Sequence, residues 1–445
     1  MRKGFFGKSK LKSDSIRPGK STANCGKCGL YKNVKSPKLA PSGNGEKGIL
    51  IVTDFPGVKD DNLGENLKSH EGSFIRRKLK KFGIDADRDC WMTSAVRCKP
   101  KKTFMTSDGQ PPVKKNQTKN CHPFIDEFIR EKQPKLILLF GNEAVRSVIA
   151  EQRGNESCDH EVWRGWHIPD RKYKAWICPM MPHWYYESNS DDNPAVDRIY
   201  NDDLKTALDK IGEELPYYIY QSEEDKIHLL KHDDDINDYL QSILLGEQSL
   251  IAFDYETTGI KPQSSEQEIV TCAISTHPDT GVAFPFTPEI RDNFKRIMNS
   301  KFIKKVGANI KYEHNWTVEK LGTTIRGWYF DVTLASHCLD NRPGITSMGF
   351  QTYVNFGIAD YDAHIKKYLK ADGGGNSINR VKDLPMKELL VYNGMDAMLE
   401  LRLAMLQMDK LGIEYQYLME SQLGTDFTPT PPVKGKVRRR PRRCK

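Results

Sequence analysis

Two rhythms of apolar and polar residues alternate through the first half of the chain. Short unbroken apolar runs are followed by stretches whose apolar residues recur every three or four positions. GILIVTDFPG reads as a buried strand entering a turn, and SFIRRKLKKFGI as an amphipathic helix closed by Gly83. A strand at CWMTSAVRC, a helix at FIDEFIREKQP, a strand at KLILLFG and a helix beginning NEAVRSVIA follow in turn. Strands apolar throughout, each followed by a helix, predict a mostly parallel sheet covered by helices in three layers.

An acidic, helix-prone stretch, SEEDKIHLLKHDDDINDYLQSILLG, marks a boundary before the next strand. SLIAFDYETTG has the continuous apolar start of a central strand. AISTHPDTGVAFPF reads as a hairpin turning at Pro278-Asp279-Thr280-Gly281. DLPMKELLVYNGMDAMLELRLAMLQMDKLG reads as one long helix, with Asp383 as N-cap, Pro385 in its first turn and Gly412 at its end. KADGGGNSIN is a loop. The expected fold class is α/β in two domains, over residues 25–216 and 217–420, the second built on a mixed sheet. No internal repeat is present.

At 445 residues the chain exceeds one compact core. No apolar run approaches the roughly 18 residues that span a bilayer, so no membrane partner is expected. MRKGFFGKSKLKSDS is basic but lacks the apolar core of a secretory signal, and a cytoplasmic location is expected. The net charge of +9 sits at the ends. Residues 1–24 carry +6 and read as a disordered basic arm, residues 421–445 carry +7 in a Pro-rich tail, and the body between them is left at −4. Tails of that kind grip phosphates or partners without sequence preference.

Three acidic segments carry the chemistry. Asp254 and Glu256, two apart on a strand, point to one face of the sheet. Glu313 follows Asn309-Ile310-Lys311-Tyr312 at a strand-to-helix junction. Tyr392 and Asp396 lie four apart on one helix face. Any one of these acids alone reads as a solvated surface charge. Together they are what a two-metal phosphodiesterase needs: acids to hold a pair of hard cations and a tyrosine to orient a water. DYETTG, NIKYEHNW, WYFDVTLASHCLDNRPG and YNGMDA resemble the 3′–5′ exonuclease domain of family A DNA polymerases, of the DEDDy class and RNase H-like fold, particularly in phage. That resemblance implies that Asp254, Glu256 and Asp396 bind two Mg²⁺ or Mn²⁺ ions, that Asp254 bridges them, and that Tyr392 positions the water. Its second motif usually supplies Asp where this chain has Glu313, one methylene longer but still a carboxylate.

Ten cysteines without a secretory signal read as thiols or metal thiolates, not as a disulfide framework. Cys25 and Cys28 form a CxxC knuckle, and Cys98 and Cys121 frame the same domain. Zinc accepts four thiolates, and so does a [4Fe–4S] cluster; spacing leaves both open. CGKCGLY, ILIVTDFPG, SAVRCKP, CHPF, PKLILLFGNEAV and the Arg164-Gly165 pair resemble family 4 uracil-DNA glycosylases, which implies the cluster on those four cysteines. The catalytic pieces of that family depart. A carboxylate survives as Asp54, but Leu67 stands for the aromatic that stacks on uracil and Ser94 for the asparagine that reads its edge. Met181 stands for the histidine, with His183 two residues on. A base flipped from the duplex needs that ring and those hydrogen bonds, so a degenerate, inactive pocket is expected. Trp163, Trp166, Trp176 and Trp184 read as packing residues, as do Cys90, Cys158, Cys272 and Cys338.

The combined expectation is a 3′–5′ exonuclease acting on single-stranded DNA or a 3′ primer end. Only 25 residues follow Glu420, so a polymerase is expected in trans, in a phage replisome in the bacterial cytoplasm. Three alternatives stand beside it: a repair enzyme that also excises uracil, a free-standing nuclease on RNA or host DNA, and a non-enzymatic adaptor in which both domains only bind, against which the intact carboxylates argue.

Overall fold

A computed structural model describes residues 23–101, 113–153, 158–246, 250–371, 373 and 377–419. Most of the basic arm and the whole tail with Cys444 lie outside the described residues, as does part of the KADGGGNSIN loop. The chain divides into two compact units, each an α/β body. The first holds residues up to Gln221 together with Arg342–Ile345 and Gly349–Asp360; the second holds the rest.

Unit 1 is built on five strands, β1 (Ile49–Thr53), β2 (Cys90–Ser94), β3 (Leu136–Phe140), β4 (Ile168–Asp170) and β5 (Ala175–Met180), ordered β2-β1-β3-β5-β4. All neighbours run parallel except the β4–β5 pair. Alternation explains why these strands are apolar throughout. Leu50, Val52, Ile137 and Leu139 face one helical layer, and Ile49, Ile51, Leu136 and Leu138 face the other. The helix His70–Lys81 covers the second face with Phe74, Ile75 and Leu79.

Part of the first face is covered from far along the chain. The helix Met348–Phe356 places Phe350, Tyr353 and Val354 in that core, joined by Ile345, and Phe350 lies 4.9 Å from Trp163 between ring centres. Gly357 ends the segment at φ +66, where a Cβ would come within 1.9 Å of the Pro169 carbonyl oxygen. These residues belong to the 217–420 range in sequence and to unit 1 in space, because their apolar face completes its core.

Unit 2 holds six strands, β6 (Ile227–Leu229), β7 (Leu250–Thr257), β8 (Ile269–His277), β9 (Thr280–Pro285), β10 (Lys304–Gly307) and β11 (Trp328–Asp331), in the order β11-β10-β7-β8-β9-β6. β7 pairs parallel with β10 and antiparallel with β8, so the sheet is mixed and β7 is internal. Phe253, Tyr255, Ile274 and Phe284 bury one face against Ile236, Leu240, Phe294 and Trp316.

The helix Met386–Leu411 lies on the opposite face, where Ala273 and Ala283 meet Leu390 and Ala397. Several local expectations are revised. Ile227–Leu229, inside the helix-prone stretch, is an edge strand paired with β9. Pro385, not Asp383, is the N-cap of the long helix, and the Asp383 carboxylate instead accepts from Arg380 at 2.8 Å. Cys338 and Trp184 are exposed, the latter by 47 %, because neither falls on the inward side of its helix. Among the described residues, no helix is long and apolar enough to cross a membrane.

The placement of Phe350 has a direct consequence. Phe350→Ala removes a buried ring from unit 1 and should cost about 3–5 kcal/mol of its stability. Hydrogen exchange at Leu136–Phe140 should accelerate accordingly; unchanged protection there would show that the helix is not part of that core.

Candidate functional site

The carboxylates of unit 2 are gathered by a close helix–sheet approach. A Cβ on Gly281 would stand 2.4 Å from the Gly394 carbonyl oxygen, and one on Gly394 would stand 2.3 Å from the Ile227 side chain. With no side chain at either position, the long helix drops onto β8 and β9. Its Tyr392, Asp396 and Glu400 recur every four residues along one stripe. On β7, Phe253 and Tyr255 turn into the core, leaving Asp254 and Glu256 on the helix side. One carboxylate oxygen each from Asp254, Glu256 and Asp396 lie within 4.8 Å of one another. Glu313, in the first turn of the helix Lys311–Leu321, is buried nearby, behind a left-handed Asn309 at φ +57.

Three further residues complete the site, and the sequence motifs do not point to them. Asn393 Nδ2 donates to Asp254 Oδ2 at 2.7 Å while its own Oδ1 accepts from Thr271 at 3.0 Å, fixing the carboxylate's orientation. The Tyr361 hydroxyl donates to Asp396 Oδ1, and its ring lies 6.0 Å from that of Tyr392. Glu400 is buried, with Oε1 accepting from the Ala308 N–H at 3.2 Å. Only Glu400 leaves a signal in sequence: it continues the Tyr392–Asp396 spacing by one more turn.

In unit 1 the four cysteines converge. Cys25 and Cys28 bound one short helix, and the Asn24 N–H donates to the Asn120 carbonyl beside Cys121. Cys98 Sγ accepts from the Lys38 N–H at 3.2 Å. Burial pushes the Cys121 thiol up to about 11, with the neighbouring Cys28, Cys98 and Cys25 adding to the rise and an N–H bond from Arg97 opposing it. All four are free thiols. Four thiols gathered in this way could be ligands to zinc or to an iron–sulfur cluster, and the N–H···S bond to Cys98 suits a thiolate.

The remaining expected residues of unit 1 are placed as follows. Asp54 Oδ1 accepts from the N–H groups of Glu143 at 2.7 Å and Ala144 at 3.0 Å. Ser94 Oγ is buried against Thr53 Oγ1 at 2.9 Å. Leu67, at φ +56, and Met181 are core residues packed with Phe74, Phe140 and Met180. His183 lies edge-on to His70, their ring centres 4.9 Å apart.

Residues 40–205 match the family model of the uracil DNA glycosylase superfamily, and residues 227–410 match that of the 3′-5′ exonuclease. The chain joins a glycosylase-superfamily domain to a 3′–5′ exonuclease domain. It is similar to the type-4 uracil-DNA glycosylase of Pyrobaculum aerophilum, 28 % identical over 120 residues, which are 26 % of this chain and 56 % of that protein. That of Sulfurisphaera tokodaii is 24 % identical over 183 residues, 41 % of this chain and 78 % of that one. The chain thus spans little more than half the length of the Pyrobaculum protein. Solved structures similar to it include Brucella melitensis NrnC bound to pGG, at TM-score 0.30 and 13 % identity over 44 % of this chain and 87 % of that one. Another is the Aedes aegypti Nibbler EXO domain, at TM-score 0.32 and 14 % identity over 45 % and 97 %.

In the exonuclease domain the electrostatics point to cations. Burial, and then repulsion from Glu400, Glu256, Asp396 and Glu313 in that order, holds Asp254 far above the usual carboxylate range. Burial raises Asp396 to about 7 against hydrogen bonds from Tyr361 and Tyr392, and raises Glu313 to about 8. Oε2 of Glu313 and Oε2 of Glu400 are both buried without a hydrogen-bond partner. Orphaned acceptors beside three convergent carboxylates fit divalent cations with oxygen ligands. Asp254, Glu256 and Asp396 would hold such ions, with Glu313 and Glu400 behind them. Bound there, the ions would lower the pKa of a water and neutralise charge on a phosphodiester.

Acids raised in the folded state stabilise it while protonated, fully below their unfolded pKa values near 4, and that contribution is lost as pH rises through about 7 to 8. In EDTA the exonuclease domain should therefore melt lower at about pH 8 than at about pH 5, and Mn²⁺ should remove most of the difference. Thermal melts across that range check this; a melting temperature independent of pH in EDTA would contradict it. Glu400→Gln keeps an acceptor for Ala308 and should raise the pH 8 melting temperature in EDTA while weakening Mn²⁺ binding roughly ten-fold.

Proposed function

We propose that the exonuclease domain removes nucleotides from 3′ ends of DNA with two Mg²⁺ or Mn²⁺ ions, proofreading for a DNA polymerase in phage replication. The observation that carries this reading is the convergence of Asp254, Glu256 and Asp396, within 4.8 Å, beside the orphaned oxygens of Glu313 and Glu400. Burial and the surrounding acids keep the Tyr392 phenol protonated, so it donates a hydrogen bond and can hold an attacking water by its oxygen. Tyr361 and Asn393 are positioning residues, holding Asp396 and Asp254 respectively. A hollow of about 310 Å³ beside Tyr361 and Tyr392 is also lined by His364 and Lys387 and by the acids Glu224 and Glu388.

The glycosylase-superfamily domain, in the same proposal, holds a [4Fe–4S] cluster on Cys25, Cys28, Cys98 and Cys121 and does not excise uracil. Leu67 and Met181 fill the core, and Ser94 is paired with Thr53, so none of the three is offered to a base. Asp54 alone keeps a carboxyl, raised by burial to about 7.

Asp254→Ala should abolish metal-dependent release of nucleotides from a 3′-labelled mismatched primer-template, with Tyr392→Phe slowing it by roughly 10²-fold or more. Wild-type digestion by Asp254→Ala would sink the assignment, and equal or faster digestion of RNA would redirect the substrate. The same preparation should release no uracil from a uracil-containing single strand; release would establish the second activity.

A further inference from the structure

Among the described residues, one cluster of metal-ligating side chains lies outside both sites described above. His70 opens the helix His70–Lys81, His183 opens the helix His183–Asn189, and Glu187 stands one turn beyond His183 on that second helix. One ligand atom from each lies within 4.8 Å of the others. His70 Nδ1 is 3.5 Å from Glu187 Oε1, and His183 Nδ1 is 3.8 Å from Glu187 Oε2. These separations exceed the roughly 2.9 Å of an N–H···O hydrogen bond. They run to the two different Glu187 oxygens and lie near the roughly 3.4 Å edge of a tetrahedron around an ion with bonds of about 2.1 Å, so a small turn of the carboxylate would bring one oxygen to both rings.

We propose that His70, His183 and Glu187 bind a borderline divalent ion of the Zn²⁺ class, leaving its fourth position open to solvent. Two imidazoles and one carboxylate favour zinc, cobalt, nickel or copper over magnesium or calcium. The site is preorganised on one side and open on the other. The His183 side chain is 9 % exposed and packs on the Phe74 ring at 4.7 Å, whereas His70 and Glu187 stand at the surface. The packing of the His183 ring on Phe74 fixes its position beside Glu187. His70 follows Leu67 by three residues and His183 follows Met181 by two. The ion would therefore clip together the two segments that in glycosylases line a base pocket and here are packed shut.

The test uses the full chain with its cysteine centre reconstituted, under anaerobic conditions, and Cu²⁺ as a spectroscopic probe with Zn²⁺ as competitor. Electron paramagnetic resonance should show one equivalent of Cu²⁺ split by two imidazole nitrogens, displaced by Zn²⁺. The carboxylates of the exonuclease domain offer only oxygen and give no such splitting. His70→Ala, at an exposed position that leaves the fold intact, should lose one nitrogen from the spectrum and weaken Zn²⁺ binding at least ten-fold. A wild-type spectrum without nitrogen splitting, or one unchanged in His70→Ala, overturns the proposal. His183→Ala should lose a nitrogen as well, but His70→Ala is the deciding variant because His183 also packs against Phe74.

Discussion

The exonuclease site depends on a contact that contains no chemistry, the seating of Gly394 on Gly281. A strand can present Asp254 and Glu256, and a helix can present Tyr392, Asp396 and Glu400, but neither set is a site alone. Carboxylates attract a divalent ion strongly only when they converge, and they converge here because backbone meets backbone where any Cβ would intrude. Ala273, Ala283 and Ala397 continue the small-residue seam on either side. The free energy released by that packing offsets the repulsion of like charges brought together in a partly desolvated place.

That repulsion is what makes the metal-free site unusual. Five acids crowd it, and its immediate hydrogen-bond donors are Asn393, the two tyrosines and the Ala308 N–H, with no lysine or arginine among them. Elsewhere in the same unit the chain handles buried charge differently. Arg402, two residues beyond Glu400, pairs with Glu223 at 2.9 Å and Asp279 at 2.8 Å. The contrast separates acids neutralised by the fold from acids left for something else to neutralise.

How much of this is legible in sequence follows the range of the interactions involved. Period-two and period-four spacings are local, so spacing alone places Asp254 with Glu256, and Tyr392 with Asp396, on their elements. The alternating strands and helices of unit 1 are legible for the same reason. Glu400 is legible only in part: it continues the Tyr392–Asp396 spacing, but a glutamate between Leu399 and Leu401 reads as an ordinary helix position until the sheet beneath it is known. Asn393 and Tyr361 act through single side-chain contacts that have no periodicity. The helix Met348–Phe356 has no reading from sequence, and only the long-range packing of Phe350 on Trp163 assigns it to unit 1.

The two domains hold their expected residues differently, and the difference is physical. In the exonuclease domain Asp254, Glu256 and Asp396 converge, and the one departure, Glu313, keeps one carboxylate oxygen buried without a hydrogen-bond partner. In the glycosylase-superfamily domain Leu67 and Met181 lie in the core and the Ser94 hydroxyl is tied to its neighbour strand. Close-packed positions gain packing energy that a larger side chain would have to displace. An aromatic residue in place of Leu67 would therefore overfill that core. On the proposed reading, a centre tying residues 25 and 28 to Cys98 and Cys121 would stabilise the domain whether or not a base ever enters it.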